Sequence, residues 1–128
     1  ADALYFAGET AEARVAFSKA SELAESRLRV DPDDFFTMIM LGWTQQMLGN
    51  AADAKEYIEK GLNIAPNDPY GLYYRALVEV QAGNHDVALR ALQRAVENGY
   101  PAKMLALEPY LEKLQEEPKF RSLISASN

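Results

Sequence analysis

Apolar residues recur along most of the chain at three- and four-residue intervals, the spacing that lines one face of an α-helix. No stretch shows the strict apolar–polar alternation of a strand. Two kinds of punctuation break the pattern. Gly49-Asn50 and Gly83-Asn84 supply tight turns, since Gly ends a helix in a left-handed conformation and Asn caps the helix that follows. Asp31-Pro32-Asp33-Asp34 and Ala65-Pro66-Asn67-Asp68-Pro69 supply longer breaks, where proline stops helix propagation and Asp or Asn caps the next helix. The pattern predicts helices over 10–30, 34–48, 51–64, 69–82 and 85–97, with a fragment at 2–7.

The helices come in copies. A shift of 34 residues lays Gly42 on Ala76, Gly49-Asn50 on Gly83-Asn84, Ala54 on Ala88, Ile58 on Leu92, Gly61 on Ala95 and Pro32 on Pro66. These are the small, turn and apolar positions that a packed repeat must keep. An earlier copy needs a shift of 41: Gly8, Ala13, Phe17 and Ala20 precede Gly49, Ala54, Ile58 and Gly61 by that interval. The seven additional residues fall between Ala20 and Pro32 and amount to about two helical turns, at roughly 3.6 residues per turn. An insertion of that size lengthens a helix without rotating its apolar face. Leu23, Ala24 and Leu28 are expected to continue the stripe begun by Phe17 and Ala20.

Period and positions together resemble the tetratricopeptide repeat. Residues 35–68 carry one copy through Leu41-Gly42, Gly49, Ala54, Ile58, Gly61 and Pro66, and residues 69–102 a second through Ala76, Gly83, Ala88, Leu92 and Ala95. Residues 1–33 match a first copy that lacks the opening half of its first helix and has a lengthened second helix. Met38 and Leu72 stand where the family often has Trp, Gln45 and Glu79 where it prefers Tyr, and Arg75 at a usually aliphatic site. The resemblance implies an all-α fold, an antiparallel helix-pair solenoid, and a scaffold that binds protein surfaces.

Residues 103–128 do not make another full repeat. Pro109 and Pro118 divide them into short helices, with Leu107, Tyr110, Leu111 and Leu114 on one apolar edge and Phe120, Leu123 and Ile124 on another. The expected role is a C-terminal cap over Leu92 and Val96, because a terminal repeat cannot bury its outer face alone. The stretch from Glu108-Pro109-Tyr110-Leu111 to Glu117-Pro118-Lys119-Phe120-Arg121 is similar to the ends of repeat regions in bacterial signalling proteins, which implies a larger parent protein of that kind.

One feature exceeds what repeat packing needs. The helix after Asp34 has its core positions at Met38, Leu41, Gly42 and Leu48, yet Phe36, Met40, Trp43 and Met47 form a second stripe with Ile39 beside it. The next repeat carries Tyr70, Tyr73, Tyr74 and Leu77 in the equivalent helix. By resemblance these are the first-helix positions that line the concave groove of a tetratricopeptide array. Aromatic and Met side chains give large contact area at interfaces for little ordering entropy. All nine residues are therefore expected to form a groove for an apolar or aromatic peptide or helix. The family's basic clamp for C-terminal carboxylates does not carry over, since Met40, Tyr70 and Tyr74 occupy the positions of its Asn, Lys and Arg.

Composition narrows the remaining classes. A net charge of −6 argues against nucleic acid, which requires clustered Lys and Arg. The most apolar stretch, 35–43, is too short to insert across a membrane, and the acidic start at Asp2 and Glu9 is no signal peptide. With no cysteine, neither a disulfide framework nor a thiolate metal site is available, which fits a cytoplasmic setting. The chain has no initiator Met and reads as a piece of something longer. His85 is the only histidine, Ser18, Ser21 and Ser26 sit on one helix without a Gly-rich elbow, and no glycines form a phosphate loop. Asp31, Asp33 and Asp34 lack the ligand pattern of a calcium loop, and Glu108, Glu112, Glu116 and Glu117 read as the wet face of a helix. No cofactor, metal or catalytic residue is expected. The expected partner is a protein or peptide, with a homodimer as the alternative.

Overall fold

The structure is a computed structural model that describes the backbone of residues 3–125 and the side chains of 11–125. It is all-helical, and no strand occurs among the described residues. The order is α1 (Ala3–Val30), α2 (Phe35–Met47), α3 (Ala51–Ile64), α4 (Pro69–Gln81), α5 (His85–Glu97), α6 (Ala102–Leu105), a 3-10 helix (Pro109–Leu114) and α7 (Pro118–Ser125). The chain divides into two compact units, 1–61 and 62–128.

In the first unit α1 lies along α2. The chain between Ala20 and Val30 is helical, so the additional residues lengthen α1 by turns rather than by a loop. The expected break at Gly8 is absent: α1 runs from Ala3 straight through it. Gly8 is followed by Glu9-Thr10, with neither the Asn nor the Pro that ends the other helices. A lone glycine costs a helix only about 1 kcal/mol relative to alanine. The α1 face that carries Phe17, Ala20, Ser21, Ala24 and Leu28 is buried or half-buried, whereas Leu23, expected in the same stripe, is 67% exposed. Leu23 lies about 100° around the helix from Ala24, at the edge of that face.

The α2–α3 pair owes its closeness to two glycines. A Cβ on Gly42 would lie 2.6 Å from Ile58 Cγ1 and 2.9 Å from the Ala54 carbonyl oxygen. One on Gly61 would lie 2.7 Å from Ile39 Cγ1 and 2.9 Å from the Phe35 carbonyl oxygen. The start of α2 thus meets the end of α3, an antiparallel hairpin. Gly49 closes it at φ 87°, donating to Gln46 O, while Asn50 N donates to Gln45 O at 2.8 Å. This is a left-handed C-terminal stop that only glycine adopts without strain. The same pair of bonds recurs at Gly83-Asn84 and, unforeseen in the sequence, at Gly99-Tyr100.

The asparagines act differently from expectation. Asn84 makes no side-chain cap bond to α5; its amide reaches back to Glu79 Oε1 at 3.3 Å, and that of Asn50 to Gln45 Oε1 at 2.7 Å. Gln45 in turn donates to Ser21 of α1 at 2.7 Å.

Asp34 does cap α2. Its carboxylate accepts from Thr37 N at 3.2 Å, from the Thr37 hydroxyl at 2.8 Å and from Arg27 Nε at 2.8 Å. These bonds, the Thr37 hydroxyl first and Arg27 next, hold its carboxyl below the ordinary value. A lowered folded-state pKa means the contribution is complete above the unfolded value, near 3.8, and is lost as pH falls through the lower folded one. Asp34→Ala is expected to cost about 1 kcal/mol near neutrality, within the range for lost N-caps. Denaturation at pH 7 and again near pH 2 checks this, because the difference from the parent chain should shrink in acid.

In the second unit α4 and α5 form another hairpin. Leu72, Ala76, Leu77 and Val80 are buried on α4, and Ala88, Leu89, Leu92 and Ala95 on α5. Arg94 ties the hairpin's open end by donating to Pro66 O at 2.9 Å and to Asn67 Oδ1 at 3.1 Å. The 3-10 helix packs on α4, and α7 packs on α5 and α6. Leu105, Leu111 and Leu114 are completely enclosed and Phe120 almost so, while Val96 stays half-buried. His85 Nδ1 lies 3.0 Å from Glu117 Oε2, joining the start of α5 to the residue before α7.

Candidate functional site

Helix α2 has no charged residue in its 13 positions. Of its four polar side chains, Thr37, Thr44 and Gln45 are buried and Gln46 is half-buried. The opposite face therefore presents apolar surface. Phe36, Met40, Trp43 and Met47, spaced at i, i+4, i+7 and i+11, lie along it. Phe36 is 47% exposed and the other three are half-buried. Ile39, expected beside them, is fully buried, because its side chain fills the space that Gly61 leaves on α3. It belongs to the core.

Between α1 and α2 an open groove of about 730 Å³ is lined by Leu23, Ala24, Phe36, Thr37 and Met40, with the Arg27–Asp34 ion pair at its edge. Leu23 and Ala24 were not expected here. Their signal was only that α1 carries more apolar residues than one packing face can use.

The equivalent stripe on α4 is divided. Tyr70 is 53% exposed and Tyr74 half-buried, but Tyr73 and Leu77 are 7% and 2% exposed. Helix α4 is covered by α5 and also by the 3-10 helix, so Leu77 and Tyr73 are core residues rather than free surface. Tyr73 stacks on Tyr100, with centroids 4.6 Å apart and planes 13° from parallel. Its hydroxyl donates to Glu108 Oε2 at 2.7 Å. Tyr70 meets Tyr100 edge to face at 5.6 Å and 72°, and Tyr74 meets Tyr73 at 5.2 Å and 73°. Burial, reinforced by the Glu108 carboxylate, pushes the Tyr73 phenol well above its ordinary value and raises that of Tyr74, and burial raises Tyr100 as well. All three stay protonated donors in any ordinary buffer. Tyr100 was not singled out by the sequence pattern, since it follows the Gly99 turn, and Glu108, expected on the wet face of a helix, instead precedes the 3-10 helix and is half-buried against Tyr73.

Among the described residues no helix is long and apolar enough to cross a membrane. Glycine-closed antiparallel hairpins, packed through small residues at corresponding positions of successive pairs, define the class of helix-hairpin repeat proteins. Tetratricopeptide-repeat models match residues 37–68 and 70–102, together just over half of the chain, and the chain belongs to the tetratricopeptide-repeat family. Such repeats are non-catalytic modules for protein–protein interaction. A comparison with curated proteins finds no match.

Proposed function

We propose that this module binds an apolar or aromatic segment of a partner protein, an amphipathic helix above all, through the α2 face and the adjoining α1–α2 groove. The observation that carries the reading is the uncharged α2 helix, on which Phe36 is 47% exposed and lines the α1–α2 groove together with Met40, Leu23 and Ala24. A contiguous apolar surface of this kind marks interaction sites on soluble domains. Burial of apolar area drives binding at roughly 25 cal/mol per Å² before ordering costs. The module belongs, on this reading, to a larger cytoplasmic signalling protein, supported by the similarity of its tail to repeat-region ends in such proteins.

The test uses a helical peptide with Leu and Phe on one face, followed by the emission of Trp43, the only tryptophan. Binding should shift that emission and change little between low and high salt. Phe36→Ala and Met40→Ala should each weaken binding about tenfold, equivalent to about 1.4 kcal/mol, with helicity unchanged. Absence of binding, or binding indifferent to both substitutions, would refute the assignment. Emission that moves on dilution without peptide would instead show a second copy of the chain on this face.

A further inference from the structure

Glu108 is the one group in the aromatic cluster whose charge has no counterpart. It is half-buried beneath Tyr73, Tyr74 and Tyr100, and no Lys, Arg or His forms an ion pair with it among the described residues. Its neighbours Glu116 and Glu117, by contrast, pair with Arg121 and His85. A carboxylate accepts about four hydrogen bonds. Glu108 receives one from the Tyr73 hydroxyl and one from Tyr110 N, which leaves acceptor capacity open. The Tyr73 hydroxyl is a neutral donor and leaves the charge of the carboxylate unbalanced. Tyr70 packs edge to face on Tyr100 at 72° and is 53% exposed, so this ring pair keeps a side toward solvent.

We propose that Tyr70, Tyr74, Tyr100 and Glu108 form a receptor for a cationic side chain of a protein partner, an arginine or lysine seated against the rings with its charge toward Glu108. Charge complementarity names the occupant. A net charge of −6, an unbalanced carboxylate and adjacent aromatic rings all favour a cation and disfavour an acidic peptide. Arginine suits the site best, because its planar guanidinium stacks on aromatic faces while its N–H groups reach a carboxylate. Three of the four tyrosines have fixed geometry: Tyr73 is locked to Glu108 and Tyr100, and Tyr70 packs on Tyr100. The receptor is thus preformed and loses little entropy on binding. The inference shares Tyr70 and Tyr74 with the expected stripe but does not rest on the α2 reading.

The probe is a short arginine peptide, with a citrulline peptide of the same sequence as the uncharged control, read from the ring proton resonances of Tyr70, Tyr74 and Tyr100. The arginine peptide should shift these resonances and citrulline should not, and added salt should weaken the effect. Glu108→Gln keeps an acceptor for the Tyr73 hydroxyl, and Tyr70→Ala removes an exposed wall. Each should reduce affinity by about tenfold, in line with a partly desolvated cation–aromatic contact. Peptides that bind equally well, or no resonance shift with either, would overturn the proposal. Loss of binding in Glu108→Gln together with a collapsed tyrosine spectrum would assign Glu108 a structural role only, and also overturn it. This site is tested by Glu108→Gln and Tyr70→Ala and the α2 face by Phe36→Ala and Met40→Ala, so failure of one is distinguishable from failure of the other.

Discussion

Phe120→Ala should destabilise the second unit by about 3–5 kcal/mol, the range for truncating an enclosed phenylalanine. Phe120 is 1% exposed and is the only buried residue of α7. With eight residues, α7 is far below the length at which an isolated helix holds in water. Its helicity therefore depends on the contact that Phe120 makes, and the ring's removal exposes the surfaces of α5 and α6 on which α7 packs. Urea denaturation of the parent and variant checks the magnitude. Phe120→Leu, which keeps most of the volume, should lose well under half as much. A change of only a few tenths for Phe120→Ala would mean that the tail is not a cap.

Gly42→Val should be the most damaging single substitution in the first unit. The added Cβ alone would meet Ile58 Cγ1 at 2.6 Å and a backbone oxygen of α3 at 2.9 Å. Ile58 is 2% exposed and Ala54 fully buried, so neither can withdraw without opening the hairpin. Overpacking of this kind costs about 1–3 kcal/mol, and valine should reach or exceed the upper end. Alanine gains about 1 kcal/mol of helix propensity over glycine and so should fall below valine in cost. Combining Gly42→Ala with Ile58→Val should recover little of the loss, because valine keeps the γ carbon that meets the new Cβ and the Ala54 carbonyl remains in place. Thermal unfolding of the three variants distinguishes this from a propensity effect. If Gly42→Ala stabilises the chain, the close approach of α2 and α3 is wrong.

The helix ends were legible because they depend on short-range chemistry. Proline has no N–H to continue a helix, and glycine alone takes the positive φ found at Gly49 and Gly83, so the sequence marks those ends wherever the chain folds. Corresponding positions marked the packing in the same way: Gly42, Ala54 and Ile58 recur as Ala76, Ala88 and Leu92, and all six are buried. Gly8 shows the limit of that logic, for a glycine without a following Asn or Pro is simply built into a helix.

Gln45 and Glu79 show a second limit. As departures from the family pattern they read as local weakness, yet each is buried and receives the amide of Asn50 or Asn84 five residues on. The substitution and the asparagine make sense only as a pair across the turn. The stripe residues divide for a related reason. Helical periodicity specifies that Phe36, Ile39, Met40 and Trp43 lie on neighbouring strips of α2, but a strip has no burial of its own. Gly61 admits Ile39 to the core and leaves Phe36 outside.

What the amino-acid sequence determined by itself was the helices, their stops, the repeat and the family, all set by local backbone chemistry and spacing. Which apolar side chains face solvent was decided only by tertiary structure, because exposure depends on what each helix is packed against. The 3-10 helix over α4 made Tyr73 and Leu77 core, the packing of α1 on α2 left Leu23 exposed at the edge of their contact, and the Gly99 turn brought Tyr100 to the tyrosines of α4. Glu108 became a site residue in the same way, through a hydroxyl 35 positions away in the chain that no helical period connects to it.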